Sequence, residues 1–401
     1  GTGVISTAGD WFTNQATLGA TTPSGAFSIT TSDDNITLGT LLGTSNVTLT
    51  SGSGTITLGN IGSNSSDVGI LALSSSAAVS SAGNWYLGNI TGDAAITTTG
   101  ALTIDAGSVD FGNIINGGNL SITSTSSIDT GTITGSTYNV TLASGSNGNI
   151  TVGALGEDGA AVGTVSMTPN GTGVISTAGD WYTNQTTLGA TTLSGNLSIT
   201  TSNDAVSIGH VKGAHDLTIS SGNGNITLVS LGESSTKLAN LTLTTSGTTS
   251  AEGTWHIDNA ISPGPMTLSD NLSITTSNDN ITLGAISGTS NLTLTSGSGT
   301  ITLVNLGADG TDLGNLSLST STAVSASGNW YLGNISGNEA LTTSSALTVD
   351  AGSIDFANVT MGGNLSITSS STIDLGTVTG SGHNFTLVSG NNSNITLSSV
   401  G

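Results

Sequence analysis

The chain has 401 residues, of which 6% are charged, 3% are aromatic and 59 are glycine, and it carries no cysteine. Its 24 acidic residues face only two lysines, Lys212 and Lys237, giving a formal charge of -22; this excludes binding of nucleic acid or an anionic membrane, which both need cations to neutralise phosphate. The missing cysteine excludes a disulfide framework and a thiolate metal site, and no apolar run is long enough to predict membrane insertion.

From its first residues the chain reads as a repeat. GTGVISTAGDWFTNQATLGATT at Gly1 returns almost unchanged at Gly171, an offset of 170. NVTLTSGSGTITLGNIG at Asn46 returns as NLTLTSGSGTITLVNLG at Asn291, an offset of 245. GNWYLGNITG around Trp85 and ALTIDAGSVDFGNI at Ala101 return at the same offset, around Trp330 and at Ala346. The difference of the two offsets, 75, is a third period, and a fixed period decides architecture before local propensity does. The chain is therefore expected to be one continuous repeat domain, 1–401, with superrepeats 1–170, 171–245 and an incomplete 246–401. Stopping partway through a cycle is expected of a cut from a longer repetitive protein, or of a subunit stacked end to end in a filament.

A finer unit lies inside these. Strand-like starts of the form Asn-apolar-Ser/Thr-apolar, some of them degenerate, fall at Ala26, Asn46, Ile70, Ala95, Asn119, Asn139, Gly163 and Asn196, and again at Asp216, Asn240, Asn271, Asn291, Asn315, Ala340, Asn364 and Asn384. Steps are mostly 20, 24 or 25 residues, stretching to 33 near Trp181 and 31 near Trp255. Within a coil, Val47, Leu49, Ile56 and Leu58 alternate with Thr48, Thr50 and Thr57, the pattern of strands with one buried face. SGSG between them is turn chemistry. No helical periodicity and no regularly spaced hairpin dipeptides interrupt this. The reading is an all-β fold, a parallel β-solenoid of about sixteen coils of 20–33 residues, in which each coil buries its apolar side only against its neighbours.

NLSITTSNDNITLG at Asn271, NLTLTSGSGTITL at Asn291 and NLSITSSSTIDLGTV at Asn364 resemble the repeat region of filamentous haemagglutinin-like exoproteins, the large adhesins of two-partner secretion. The resemblance covers nearly the whole chain through repeat style, and the N-terminal secretion domain of that family is not recognisable. It implies a right-handed parallel β-helix, an extracellular, cell-surface location, and a role in attachment or biofilm. The partner would be a host or neighbouring-cell surface, or copies of the chain itself in a filament.

Four sets of residues are candidates for chemistry. Asn recurs at coil starts within Asn-X-Ser/Thr, including Asn46, Asn89, Asn291 and Asn334; these are either N-glycosylation acceptors or turn residues forming a stacked amide ladder. Asp105 and Asp129 each lie ten residues after a coil start, Ala95 and Asn119, and Asp350 and Asp374 repeat the arrangement. Stacked on neighbouring rungs they would hold calcium, the one cofactor the sequence admits, or stand as solvated acidic positions. A catalytic role is not assigned: the pair repeats with its surroundings, and the chain has no arginine to serve as a base. His210, Lys212 and His215 form a local departure from the repeat, read as a solvated loop. The tryptophans at 11, 85, 181, 255 and 330 recur with the superrepeat; Trp85 and Trp330 would stack on glycan rings if exposed, or plug the coils if buried.

Overall fold

The computed structural model describes residues 4–92 and 94–401. Among them the regular elements are all β-strands, and the ladders that join successive coils are parallel. The chain groups into two compact units, Gly1–Asp204 and Ala205–Gly401, and each is a β-solenoid.

In the first unit one wall can be followed rung by rung through Ile5, Thr21, Leu41, Ile61, Trp85, Ile104, Ile122, Leu142, Met167 and Leu188. In the second the corresponding wall runs through Val206, Ile226, Thr249, Met266, Ile286, Leu306, Trp330, Val349, Ile367 and Leu387. From Leu41 to Leu142 the first column reappears in the second at an offset of 245, so the sequence cycle is a cycle of coils. Apart from Ile5 and Leu387, these side chains are buried. Burying one such aliphatic side chain is worth about 1.5–3 kcal/mol, and a column of them accumulates what no single coil could supply.

The coils are shorter and more numerous than the Asn pattern predicts. Steps along the first column run from 16, Ile5 to Thr21, up to 25, Leu142 to Met167, and each unit contributes ten rungs, where about sixteen coils were expected over the whole chain. The reason is visible in the strand Ile175–Leu188, which turns a corner and pairs below with both Ile150–Val152 and Val162–Asn170. Thr186 thus occupies a rung that no Asn-apolar-Ser/Thr-apolar start marks, because Gln185 follows Asn184 where the pattern has an apolar residue.

Strand alternation is as the composition demands. Val47, Leu49, Ile56 and Leu58 are buried, while Thr48 and Thr57 are exposed. At the SGSG corner the buried Ser51 hydroxyl donates to the Gly54 carbonyl at 2.5 Å. Gly52 has φ 56°, and a Cβ there would lie 1.9 Å from the Ser32 carbonyl oxygen of the preceding coil, so only glycine fits. Ser296 and Gly297 repeat the arrangement.

The asparagines at the turns tie one coil to the next. Asn291 N–H donates to Asn271 Oδ1 at 2.9 Å, Asn315 N–H to Asn291 Oδ1 at 2.8 Å, and Asn334 Nδ2 to Asn315 Oδ1 at 2.9 Å. The same contact recurs from Thr55 to Asn35 and from Asn139 to Asn119. Except for the side-chain contact of Asn334, which lies within a strand, these amides satisfy backbone donors at corners that would otherwise go without partners.

Candidate functional site

The most elaborate feature of each unit is a coil built around a tryptophan. Trp85, Trp181, Trp255 and Trp330 are each 0% exposed and stand in an interior column. Each indole N–H donates to a backbone carbonyl of the preceding coil: Gly59 at 3.0 Å, Gly153 at 3.1 Å, Val229 at 3.3 Å and Val304 at 2.6 Å. Burial of Trp85 and Trp330 removes them as platforms for sugar rings, which corrects that reading. A Trp placed inward in a coil otherwise lined by Ile, Leu and Val fills the extra width the longer coils create. Trp11 is only part-buried and meets Phe27 edge-on at 5.3 Å between ring centroids.

Beneath each buried Trp a short hairpin projects from the wall. Ser63 and Ser66, Glu157 and Ala160, Glu233 and Thr236, and Ala308 and Thr311 form antiparallel bridges closed by two backbone hydrogen bonds each. Regular hairpins were not expected, because only Asp158-Gly159 and Asp309-Gly310 carry a recognisable turn dipeptide. Each hairpin is entered through a glycine with φ between 64° and 67°: Gly62, Gly156, Gly232 and Gly307. The residue after each Trp, Tyr86, Tyr182, His256 or Tyr331, faces outward and is half-buried beside the hairpin.

The aspartate pairs do not form as the spacing suggests. Asp105 is opposite Tyr86 and Thr123, whereas Asp129 is opposite Asp110. In the second unit Asp350 is opposite Tyr331 and Thr368, and Asp374 is opposite Asp355. Counting from Ala95 chose the wrong phase: Leu102, not Ile96, is the rung partner of Leu120. Asp105 and Asp129, like Asp350 and Asp374, therefore cannot share one calcium ion across a single rung. Among the described residues no three His, Asp or Glu side chains converge as metal ligands would.

Of the four candidate glycan acceptors, Asn46 and Asn291 immediately precede strands, whereas Asn89 and Asn334 lie within the strands Val79–Thr91 and Val324–Ser336; all four hold contacts between coils. Asn46 Oδ1 accepts from Ile70 N–H at 2.9 Å, and Asn291 Oδ1 from Asn315 N–H. Asn89 and Asn334 accept from the hydroxyls of Ser108 and Ser353 at 3.0 and 2.9 Å.

The departure around Lys212 resolves into contacts with the following coils. His210 Nε2 lies 3.4 Å from Glu233 Oε1 in the third hairpin. Lys237 Nζ donates to the Ser277 hydroxyl, which donates to Asp258 Oδ1 at 2.6 Å. Lys237 stands where the first and last hairpins carry Asp67 and Asp312, and it arrives together with Asp258, where Gly88 and Gly333 stand in the equivalent coils. Burial, then the neighbouring Lys237, hold the His256 imidazole below its ordinary pKa.

No protein-family model, curated protein or solved structure matches this chain. What the fold and its surfaces define is a class: a repetitive parallel β-solenoid whose tryptophans are structural and whose outward positions are mainly hydroxyl, amide and carboxylate.

Proposed function

We propose that the chain is a non-enzymatic, extracellular β-solenoid that serves as a rigid structural and adhesive segment of a bacterial surface adhesin or filament. The observation that carries this reading is the unbroken column of ten rungs in each unit. Such columns make every coil a support for the next, and stiffness is then a property of the repeat rather than of any one site. The acidic, nearly lysine-free surface fits a thread that repels its own copies in solution. The haemagglutinin-like style of NLSITTSNDNITLG adds the expectation of export and attachment.

The test is antibody labelling of intact source cells together with adherence of protein-coated beads to neighbouring cells. Surface labelling and specific bead adherence are expected. Labelling only after lysis, with beads no more adherent than albumin-coated ones, would overturn the proposal.

A further inference from the structure

One turn in the first unit departs from its equivalents. The links Gly43-Thr44-Ser45-Asn46, Gly213-Ala214-His215-Asp216 and Gly288-Thr289-Ser290-Asn291 have two residues between glycine and the coil start, but Gly135-Ser136-Thr137-Tyr138-Asn139 has three. The extra residue forces Thr137 to φ 68°, in the left-handed region that a β-branched side chain strongly resists. The duplicate of this link, Gly380-Ser381-Gly382-His383-Asn384, puts glycine at the same position with φ 78°. Strain kept where a glycine is available is a mark of functional sites.

The strained turn lines a cleft of about 300 Å³, roofed by the hairpin tip Asp158-Gly159 and walled by Tyr182, with Asn184, Thr200 and Ser202 completing it. That volume is at the lower end of the range for small-molecule sites, about 300–1,000 Å³. Its chemistry is one aromatic ring, several hydroxyls, an amide and a single carboxylate, with no cation to balance phosphate, sulfate or a sugar acid. It has too little apolar lining for a lipid. One aromatic face beside neutral donors and acceptors suits a polyol ring, whose C–H face packs on the aromatic while its hydroxyls take the polar groups.

We infer that the cleft between Thr137, Asp158 and Tyr182 binds a neutral saccharide ring. The inference supplies a ligand class for the adhesive reading and moves sugar recognition from the buried tryptophans to an outward tyrosine.

Saturation-transfer difference NMR on the intact protein tests it, using methyl glucoside, methyl galactoside, methyl mannoside and N-acetylglucosamine, each at about 10 mM to suit a site of millimolar affinity. Glucose 6-sulfate and a short lysine peptide serve as rival probes. At least one neutral sugar is expected to receive saturation. Tyr182→Ala and Asp158→Asn should each weaken it about tenfold or more, while Tyr331→Ala, beside the last hairpin, leaves it unchanged. The inference is overturned if no neutral sugar responds, if the signal survives Tyr182→Ala in a protein with unchanged circular dichroism, or if only the sulfated sugar or the peptide binds. Failure here with bead adherence intact removes the saccharide site and leaves the adhesive reading standing.

Discussion

The indole N–H of Trp85 donates to the carbonyl of Gly59 at 3.0 Å, across the boundary between two coils and inside the wall that both help to build. The side chain therefore does two jobs, filling volume and satisfying a backbone acceptor. Trp85→Phe keeps most of the volume but leaves the carbonyl unpaired, at a cost of about 1–3 kcal/mol. Trp85→Ala adds a cavity and should cost about 3–5 kcal/mol. Urea denaturation midpoints should fall in the order wild type, Phe, Ala. Equal midpoints for Phe and wild type would mean the hydrogen bond contributes nothing.

Gly62 lies under the next coil so closely that a Cβ would stand 2.3 Å from the Tyr86 carbonyl oxygen, and its φ is 64°. Gly159, at a hairpin tip with φ 77°, has nothing within 4 Å of the same position. Alanine at Gly159 meets only the left-handed backbone penalty, about 1–2 kcal/mol. Alanine at Gly62 meets that penalty and a clash with backbone that cannot turn aside. Thermal denaturation should show Gly62→Ala falling well below Gly159→Ala; matching melting temperatures would show that the coils separate easily at the hairpin.

The alternation of Val47, Leu49, Ile56 and Leu58 made the buried face legible from sequence, because a strand's period of two has no competing reading over such short runs. The 245-residue offset made the stacking legible, since Leu41, Ile61 and Trp85 recur at Ile286, Leu306 and Trp330. Phase was not legible. Ala95 and Asn119 look like successive coil starts, but the strand Ile96–Phe111 turns a corner before Leu102, the true partner of Leu120. Residue counting therefore put Asp105 opposite Asp129, whereas Asp105 faces Thr123 and Asp129 faces Asp110. The hairpins at Ser63–Ser66 and Glu233–Thr236 were equally hidden, because their tips use Asn and Ser without a signature dipeptide. The cleft at Tyr182 leaves a faint trace, one extra residue before Asn139, that gains meaning only when the hairpin is seen above it.

Asn116 offers a test that the duplication itself designs. Its side chain is 4% exposed, and neither amide atom has a hydrogen-bond partner among the described residues; the Ser81 hydroxyl in the same column is in the same position. In the second unit the equivalents are Met361 and Ala326, stacked about Thr343 as Ser81 and Asn116 are about Thr98. Gly380 packs over Met361 much as Gly135 packs over Asn116, so the space for methionine exists. Asn116→Met should stabilise the first unit by about 1–3 kcal/mol, the cost of a buried unpaired polar group. A lower urea midpoint would show that solvent reaches and satisfies this amide.

The second unit should carry two opposed pH dependences. Burial holds the Glu339 carboxyl above its ordinary range, against the hydrogen bond it accepts from Thr320 N–H at 3.3 Å, and the nearby Asp355 adds to the rise. Between the ordinary value of 4.5 and its raised value, the folded chain holds a proton that the unfolded chain has released. Stability is therefore lost as pH rises through that window, and the cost is complete above it. His256, lowered from 6.5, behaves in the opposite way: the unfolded chain takes up a proton first, so stability falls as pH drops below 6.5 toward the folded value. Ala94 occupies the place of Glu339 in the first unit, and tyrosine the place of His256 in the coils of Trp85, Trp181 and Trp330. Glu339→Gln should be more stable than wild type at neutral pH, with the difference vanishing below about pH 4.5. His256→Tyr should match wild type above pH 6.5 apart from a constant offset, and gain on it as the solution is acidified. Urea midpoints for the three proteins across the acid range measure both. A Glu339→Gln difference that does not change with pH would remove the carboxyl from the account, and a His256→Tyr difference that shrinks on acidification would reverse the sign assigned to the imidazole.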